Sequence, residues 1–399
     1  MRRKKAVKSR PSRWPVVHLV VACVVCAASL LCVLPAQSYR LFQARVVATE
    51  GSVWILLAAV LVLAFTRPTR FAAARASIAV IAIAAAAMPI TLALPVASGL
   101  AARLDQAFGA APRAATDSGA RRSSPLVLAD MVRGMSLEAR APVTLVYKVV
   151  DHTEMVMDVH LPSGAGPAPG VLVIHGGGWS GGTRSEFSGL SRYLAARGYV
   201  VASLDYRLAP RWPYPAAPDD VAAAIAALKA HAPDIRLDAS RLVLLGRSAG
   251  AQLALLAGYT SHDPAVRGVV AFYGPTDLAY GYEHPAPIKV FDSNAALERF
   301  LGGSLAERTQ TYHDASPYAF VSAGTPPTLM IHGEVDELVE IEQSRRLERR
   351  LTELKVPHLL VELPWASHGC DYFLRGPCGQ ISTFAVEEFL ARILPIPAS

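Results

Sequence analysis

The sequence is poor in cysteine, with five among 399 residues. Three of the five lie within the first 32 residues, so the rest of the chain has only Cys370 and Cys378. A structural metal centre usually needs four clustered Cys or His ligands, and a pair of cysteines without further ligands does not supply them. We therefore predict no metal site.

Acidic residues are scarce at the beginning of the chain. The first 125 residues contain 16 Lys or Arg against three Asp or Glu, whereas the remainder contains 23 against 29. The formal net charge of +7 therefore comes from the N-terminal region. The mildly acidic remainder lacks the positive surface that binds phosphate groups, so we expect no nucleic-acid partner.

Long apolar runs, by contrast, are present at 16–34, 53–65 and 76–100, and the first and third are uncharged. A membrane helix needs about 20 apolar residues, and uncharged runs of this length are unusual for a buried core helix. We predict spans at about 16–34, 50–66 and 76–100. Two alternatives stay open: the first run is a cleaved signal peptide, or the shorter second run does not cross.

The positive charges predict how these spans are oriented. Residues 1–13 hold seven Lys or Arg and no acid, and the segment 66–75 holds three arginines. Because positive segments stay in the cytoplasm, three spans would place everything after residue 100 outside. We therefore expect a multi-pass cell-membrane protein with an extracytoplasmic domain.

The pattern changes after the third run. Residues 101–140 are rich in Ala, Arg, Ser and Pro, which predicts a linker. From 141 to 399, short apolar runs alternate with helical patterns. This predicts an α/β domain with a mostly parallel, doubly wound sheet. The stretch at about 278–325 is polar and irregular.

The strongest local signal is "RLVLLGRSAGAQLALLAG", in which an apolar strand enters G-R-S-A-G and a helix follows at once. G-x-S-x-G at such a turn is typical of a nucleophile elbow, which exposes the serine at a helix N-terminus. The sequence therefore predicts Ser248 as a nucleophile.

A nucleophilic serine needs a base, and the base needs an acid to orient it. After two later strands the chain offers Asp336, in "HGEVDELV", and His368, in "WASHG". The order Ser, Asp, His is the one that this type of site follows. Glu334 is the alternative acid, and His332, inside the strand end, is expected to be structural.

The stretch "VLVIHGGGWSGG" follows another strand and predicts an oxyanion hole. We expect it to be formed by the backbone N–H groups of Gly177, Gly178 and Ala249, with His175 orienting the loop. The same glycines also spell G-x-G-x-x-G, the dinucleotide fingerprint, which would indicate an NAD-dependent oxidoreductase. Trp179 and Tyr273 lie near the predicted pocket and are predicted substrate contacts.

Several further motifs accompany these: "DYRLAP", "PYPAAPDD", "YGPTD" and "ASPY". Together with the motifs above, over residues 143–395, they resemble the hormone-sensitive-lipase-like branch of the α/β-hydrolases, including bacterial carboxylesterases and feruloyl-esterase-like proteins. The resemblance implies an α/β-hydrolase fold, the Ser248, Asp336 and His368 triad, and the oxyanion hole named above. It also implies a lid inserted at about 278–325, and the polar, irregular sequence there predicts a small one. Arg211 and Arg247 depart from the family's usual residues at those positions.

From these residues we predict a membrane-anchored serine hydrolase that cleaves carboxylic esters, of small molecules or of lipids, through an acyl-enzyme. No cofactor is expected. Two alternatives remain: a serine peptidase or amidase on the same fold, and a non-catalytic binding protein.

The two late cysteines predict a disulfide. An extracytoplasmic domain lies where disulfides persist, and Gly376 and Pro377 can turn the chain between Cys370 and Cys378. Such a bond would restrain the loop that carries His368. Two free thiols are the alternative.

Overall fold

The computed structural model describes residues 14–66, 68, 70–111, 121–135, 141–164 and 166–396. Its helices are α1 (Trp14–Leu30), α2 (Tyr39–Glu50), α3 (Ser52–Ala64), α4 (Ala72–Phe108), α5 (Leu128–Arg133), α6 (Ser188–Ala195), α7 (Ala216–Ala230), α8 (Ala249–Thr260), α9 (Leu278–Glu283), α10 (Ser293–Leu301), α11 (Thr309–Asp314), α12 (Glu342–Glu353) and α13 (Pro377–Ile393). Its strands are β1 (Val143–Val150), β2 (Thr153–His160), β3 (Ala168–Ile174), β4 (Val200–Leu204), β5 (Leu237–Arg247), β6 (Val266–Phe272), β7 (Thr328–Gly333) and β8 (His358–Leu363).

All eight strands form one sheet in the order β1-β2-β4-β3-β5-β6-β7-β8. β2 pairs antiparallel with both β1 and β4, and every later pairing is parallel. The carboxyl ends of the parallel strands therefore meet at one edge, where the loops that carry the predicted motifs also begin.

The sheet is covered on both faces because successive side chains of a strand point to opposite sides. In β3, Leu172 and Ile174 join the core beneath α7, α8 and α12, whereas Val171 and Val173 join the core beneath α6 and α13. A strand buried on both sides has to be apolar throughout, as the sequence predicted.

The N-terminal helices differ from the three predicted spans. In the described part of the chain, α4 is long and apolar enough to cross a membrane, and the pair α2 and α3 would count as a second span if its 75° bend were ignored. α1, at 17 residues, is shorter. The predicted span at 50–66 starts in a bend because Glu50 ends α2 and α3 begins at Ser52. Residues 1–13, which carry much of the orienting charge, lie outside the described residues.

The predicted linker at 101–140 is wrong for its described parts. α4 continues to Phe108 and buries Leu104 in the core beneath α13. Further on, Arg122 donates to the side chain of Gln380 at 2.9 Å, and its backbone N–H donates to Glu387. Apolar and charged contacts therefore hold these segments on the α/β domain, although the composition is loop-like. Residues 112–120 and 136–140 lie outside the described residues.

Candidate active site

Ser248 stands at a sharp turn between β5 and α8, with a φ of 54° that is unusual for a residue with a side chain. The turn requires close backbone approach: a Cβ added to Gly250 would lie 2.2 Å from the carbonyl oxygen of Ile174 in β3. Glycine at this position therefore allows the helix to begin directly against the sheet, and the serine side chain lines a cavity at the sheet edge.

Two hydrogen bonds connect Ser248, His368 and Asp336. Nε2 of His368 lies 2.8 Å from Oγ of Ser248, and Nδ1 lies 2.8 Å from Oδ2 of Asp336. The other carboxylate oxygen of Asp336 accepts from the backbone N–H groups of Leu338 and Val339 at 2.8 and 2.9 Å. The carboxylate is thus fixed by its own loop and in turn orients the imidazole.

The alternative acid, Glu334, is exposed and lies away from this chain of contacts. His332 is buried, with Nδ1 2.7 Å from Oγ of Ser344 and Nε2 3.3 Å from Asp336. Burial alone would raise the pKa of the Asp336 carboxyl. The charge of His368 and hydrogen bonds from both histidines outweigh burial and hold this pKa below its usual range.

The glycine loop after β3 presents backbone N–H groups to the same cavity. Gly177 has a φ of 107°, and a Cβ there would lie 2.2 Å from the carbonyl oxygen of Gly181, so only glycine fits. Among the described residues, none accepts a hydrogen bond from the N–H groups of Gly177, Gly178 or Ala249. Three unpaired donors beside Ser248 suit a developing negative charge.

His175 supports this loop from below. Its ring stacks on Tyr206 with centroids 4.2 Å apart, and Nδ1 lies 2.7 Å from the carbonyl oxygen of Gly176. Burial lowers the pKa of His175, so the ring is neutral at pH 7. The first helix after these glycines, α6, begins only at Ser188, so they do not open a helix as the dinucleotide fingerprint requires. No described group of three His, Cys, Asp or Glu side chains is arranged to hold a metal.

The cavity has a volume of about 740 Å³, within the range of small-molecule sites. Trp179 and Tyr273, the predicted substrate contacts, both line it. Trp179 stacks on Phe300 and donates its indole N–H to Gln252 at 2.8 Å. The segment predicted as a lid forms α9, α10 and α11, and side chains from α9 through the start of α10 also line the cavity.

A buried pair behind the cavity was missed by the sequence analysis. The Arg247 guanidinium lies 2.6 Å from the carboxylate of Asp371, which also accepts a hydrogen bond from the Tyr273 hydroxyl. The Tyr273 ring lies 4.5 Å from the ring of His368. The signal was Arg247 itself, a charged residue that stands beside the nucleophile, two positions after the end of the apolar run 242–245 of β5.

The loop after His368 is closed by a disulfide between Cys370 and Cys378, with Cα atoms 5.7 Å apart. Asp371 follows Cys370 directly, so the bond and the Arg247 ion pair hold the same short segment. Both anchors lie within three residues of the imidazole, which limits its displacement from Ser248.

A second missed feature is a wall of the cavity that comes from the N-terminal region. Five residues of α2 line the cavity together with Ser248 and His368: Tyr39, Phe42, Gln43, Val46 and Val47. Their spacing of three and four residues places them on one helix face. The sequence analysis treated this segment only as the approach to a membrane span.

The site and fold agree with similarities to known proteins. A family profile described as BD-FAE matches residues 157–351. Two relatives from Mycobacterium tuberculosis are the probable carboxylic ester hydrolase LipM, 32% identical over 57% of this chain and 55% of the relative, and esterase LipC, 34% identical over 57% and 59%. The chain thus spans somewhat over half the length of the curated relatives it matches.

Esterase Est2 of Thermogutta terrifontis, solved with butyrate bound, is 25% identical over 65% of this chain and 96% of its own, with a TM-score of 0.54. Over these parts of its length, the chain is similar to carboxylic ester hydrolases and esterases.

Proposed function

We propose that the protein is a membrane-anchored serine hydrolase that cleaves carboxylic esters through an acyl-enzyme on Ser248. One observation carries the proposal: Ser248, His368 and Asp336 are joined by two hydrogen bonds of 2.8 Å beside three unpaired backbone N–H groups. The ester hydrolase and esterase names of LipM and LipC support the same chemistry.

The reaction follows from the atoms present. Nε2 of His368 takes the proton of Ser248 as Oγ attacks the ester carbonyl, and the carbonyl oxygen becomes an oxyanion held by the three N–H groups. When the intermediate collapses, the C–O bond to the alcohol breaks and His368 gives its proton to that alcohol. A water molecule, deprotonated by His368, then attacks the acyl-enzyme, and the proton returns to Oγ as the acid leaves.

Membrane anchoring is supported by α4. Its 37 residues extend about 55 Å, longer than the hydrocarbon layer of about 30 Å. The part of α4 from Ala93 to Leu104 contributes to a core of the α/β domain, which leaves about the first 20 residues of α4, roughly 30 Å, to cross the bilayer. α1 and α3 both pack against α4.

The contact between α2 and the α/β domain constrains the topology. Arg45 in α2 forms an ion pair with Glu337, so α2 and the α/β domain lie on the same side of the membrane. Two helices separate them in the chain, and a crossing by α4 alone would put them on opposite sides. We infer that α3 crosses as well. If α1 also crosses, the positive N-terminal segment favours the orientation in which this side lies outside the cell.

The ester assignment is tested with matched p-nitrophenyl esters and p-nitroanilides of the same acyl group, using the full chain and its Ser248→Ala variant. We expect turnover of the esters by the wild-type chain and none by the variant. Turnover of anilides at comparable rates would instead identify an amidase or peptidase. A reporter fused after residue 399 should be active only in an exported form, and a cytoplasmic signal would overturn the orientation.

A further inference from the structure

The cavity beside Ser248 is completed by a helix that does not belong to the α/β domain. The face of α2 that contains Phe42, Val46 and Val47 lines the same cavity as the glycine loop and the His368 loop. Except for Gln43, the residues that α2 contributes carry apolar or aromatic side chains. The N-terminal region therefore supplies an apolar wall to the site at which the ester would react.

Polar contacts fix this wall to the loops that carry the triad. Glu337 accepts from the Arg45 side chain and, at 3.0 Å, from the backbone N–H of Ala36. The same carboxylate accepts from the Ser367 hydroxyl. Because Glu337 follows Asp336 and Ser367 precedes His368, α2 is attached directly to the Asp336 loop and, through Glu337, to the His368 loop.

The far end of α2 is fixed as well. The carboxylate of Glu50 accepts from the backbone N–H groups of Cys378 and Gly379, at 3.0 and 3.4 Å. These are among the first N–H groups of α13, which have no partner inside their own helix. Glu50 therefore caps a helix of the α/β domain, and the two ends of α2 are held independently.

The exposed part of the cavity lining has apolar and aromatic side chains beside three acidic ones, Glu186, Asp292 and Glu340. Tyr39 and Val47 of α2, Ile288 of the lid and Tyr372 of the His368 loop line the cavity and are all exposed. They come from three separate segments of the chain and line the same cavity. Exposed apolar side chains grouped at a pocket favour the binding of apolar groups.

We propose that α2 is a specificity-determining wall, and that the substrate is an ester with a long apolar chain that lies along α2 and leaves the cavity over its rim. The proposal rests on the ester hydrolysis proposed above and names the substrate class of that site. The bend at Gly51 leads from this wall directly into the apolar helix α3, so the opening adjoins the segment proposed to enter the membrane.

A matched pair of variants tests the wall. Val47 lines the cavity and is 56% exposed, whereas Leu41, in the same helix, is 43% exposed and is not part of the cavity lining. Each is changed to Asp in the full chain, reconstituted in phosphatidylcholine vesicles, and kcat/KM is measured for p-nitrophenyl acetate and p-nitrophenyl decanoate. Aspartate is chosen because its short side chain keeps the charge at the cavity lining, whereas a lysine side chain could extend its charge into water.

We expect Val47→Asp to lower the ratio of decanoate to acetate kcat/KM by about tenfold or more, because each methylene that loses apolar contact weakens binding. Leu41→Asp should keep the ratio within twofold of wild type. An unchanged ratio in Val47→Asp, or an equal fall in both variants, would overturn the proposal. If the wild-type chain hydrolyses neither ester, the proposed function itself fails, which is a different result.

A second experiment distinguishes whether the long-chain ester reaches the enzyme from its own membrane or through water. A long-chain diacylglycerol is placed either in the vesicles that contain the enzyme or in separate vesicles. Hydrolysis confined to the shared vesicles identifies the membrane as the source, and hydrolysis in both arrangements identifies an ester that reaches the rim through water. Absence of hydrolysis in both, with acetate still cleaved, would argue against a long-chain substrate.

Discussion

The two walls of the cavity are held in different ways. The wall that carries Ser248 and His368 is formed by loops at the end of a parallel sheet. It is fixed by strand pairing, by the close contact of Gly250 with β3 and by a disulfide. The wall formed by α2 is attached through two carboxylates, those of Glu337 and Glu50, and through a small apolar cluster of Phe42 with Val290 and Leu338. The atoms that break the ester bond therefore lie on the rigid wall. The wall proposed to contact the rest of the substrate is a helix whose attachments can be weakened by substitutions that leave the sheet unchanged.

The largest expected effect comes from the rigid wall. Ser248→Ala removes the attacking oxygen, and in serine hydrolases such a loss lowers kcat by up to about 10⁶-fold. The fold should be unchanged because Ala fits wherever Ser does, which circular dichroism and thermal unfolding can check. Ester turnover within tenfold of wild type would contradict the assignment of Ser248.

A smaller loss is expected when the orienting acid is neutralised. Asp336→Asn keeps the shape but leaves the imidazole without a carboxylate, and kcat for p-nitrophenyl acetate should fall by about 10⁴-fold. Glu334→Gln is the matched control, and it should keep kcat within twofold because that side chain is exposed. A large loss in the Glu334 variant with a small one in the Asp336 variant would exchange the two roles.

The attachment of the α2 wall should matter less for chemistry and more for stability. The side chains of Arg45 and Glu337 are 5% and 11% exposed, and removing one partner of such a pair costs up to about 3–5 kcal/mol. Arg45→Met should lower the melting temperature and reduce turnover several-fold. Arg40→Met, in an exposed position of the same helix, should change neither.

A double variant sharpens this comparison. Adding Glu337→Gln to Arg45→Met removes the unpaired charge, so part of the lost stability should return, and the recovered part measures the coupling between the two residues. Strictly additive losses would mean that the ion pair does not attach α2 to the triad loops.

The smallest effect on chemistry is expected from the disulfide. Changing both Cys370 and Cys378 to Ser releases a loop closure worth about 2.5 kcal/mol in the entropy model. The melting temperature should fall, whereas labelling of Ser248 by a fluorophosphonate should remain detectable. Peptide mapping after alkylation without reduction provides the check, and modification of both cysteines would show two free thiols instead.

The two walls also differ in how much of them the sequence predicted. Ser248, Asp336 and His368 were identified because each follows its own apolar strand in a short pattern that depends on local geometry. The α2 wall was missed because its decisive contact, between Arg45 and Glu337, joins residues 292 positions apart. The linker prediction failed for a similar reason, since the composition around Arg122 is that of a loop and its contact with Gln380 joins residues 258 positions apart.

Covalent labelling tests the central claim, that Ser248 is the activated nucleophile, most directly. The full chain is treated with a fluorophosphonate, digested, and mapped by mass spectrometry, with Ser248→Ala and Asp336→Asn treated in parallel. The account predicts one modified peptide, with the phosphonate on Ser248, no modification of the alanine variant and much slower modification of the asparagine variant. Modification at another residue, or none in a folded wild-type chain, would contradict it.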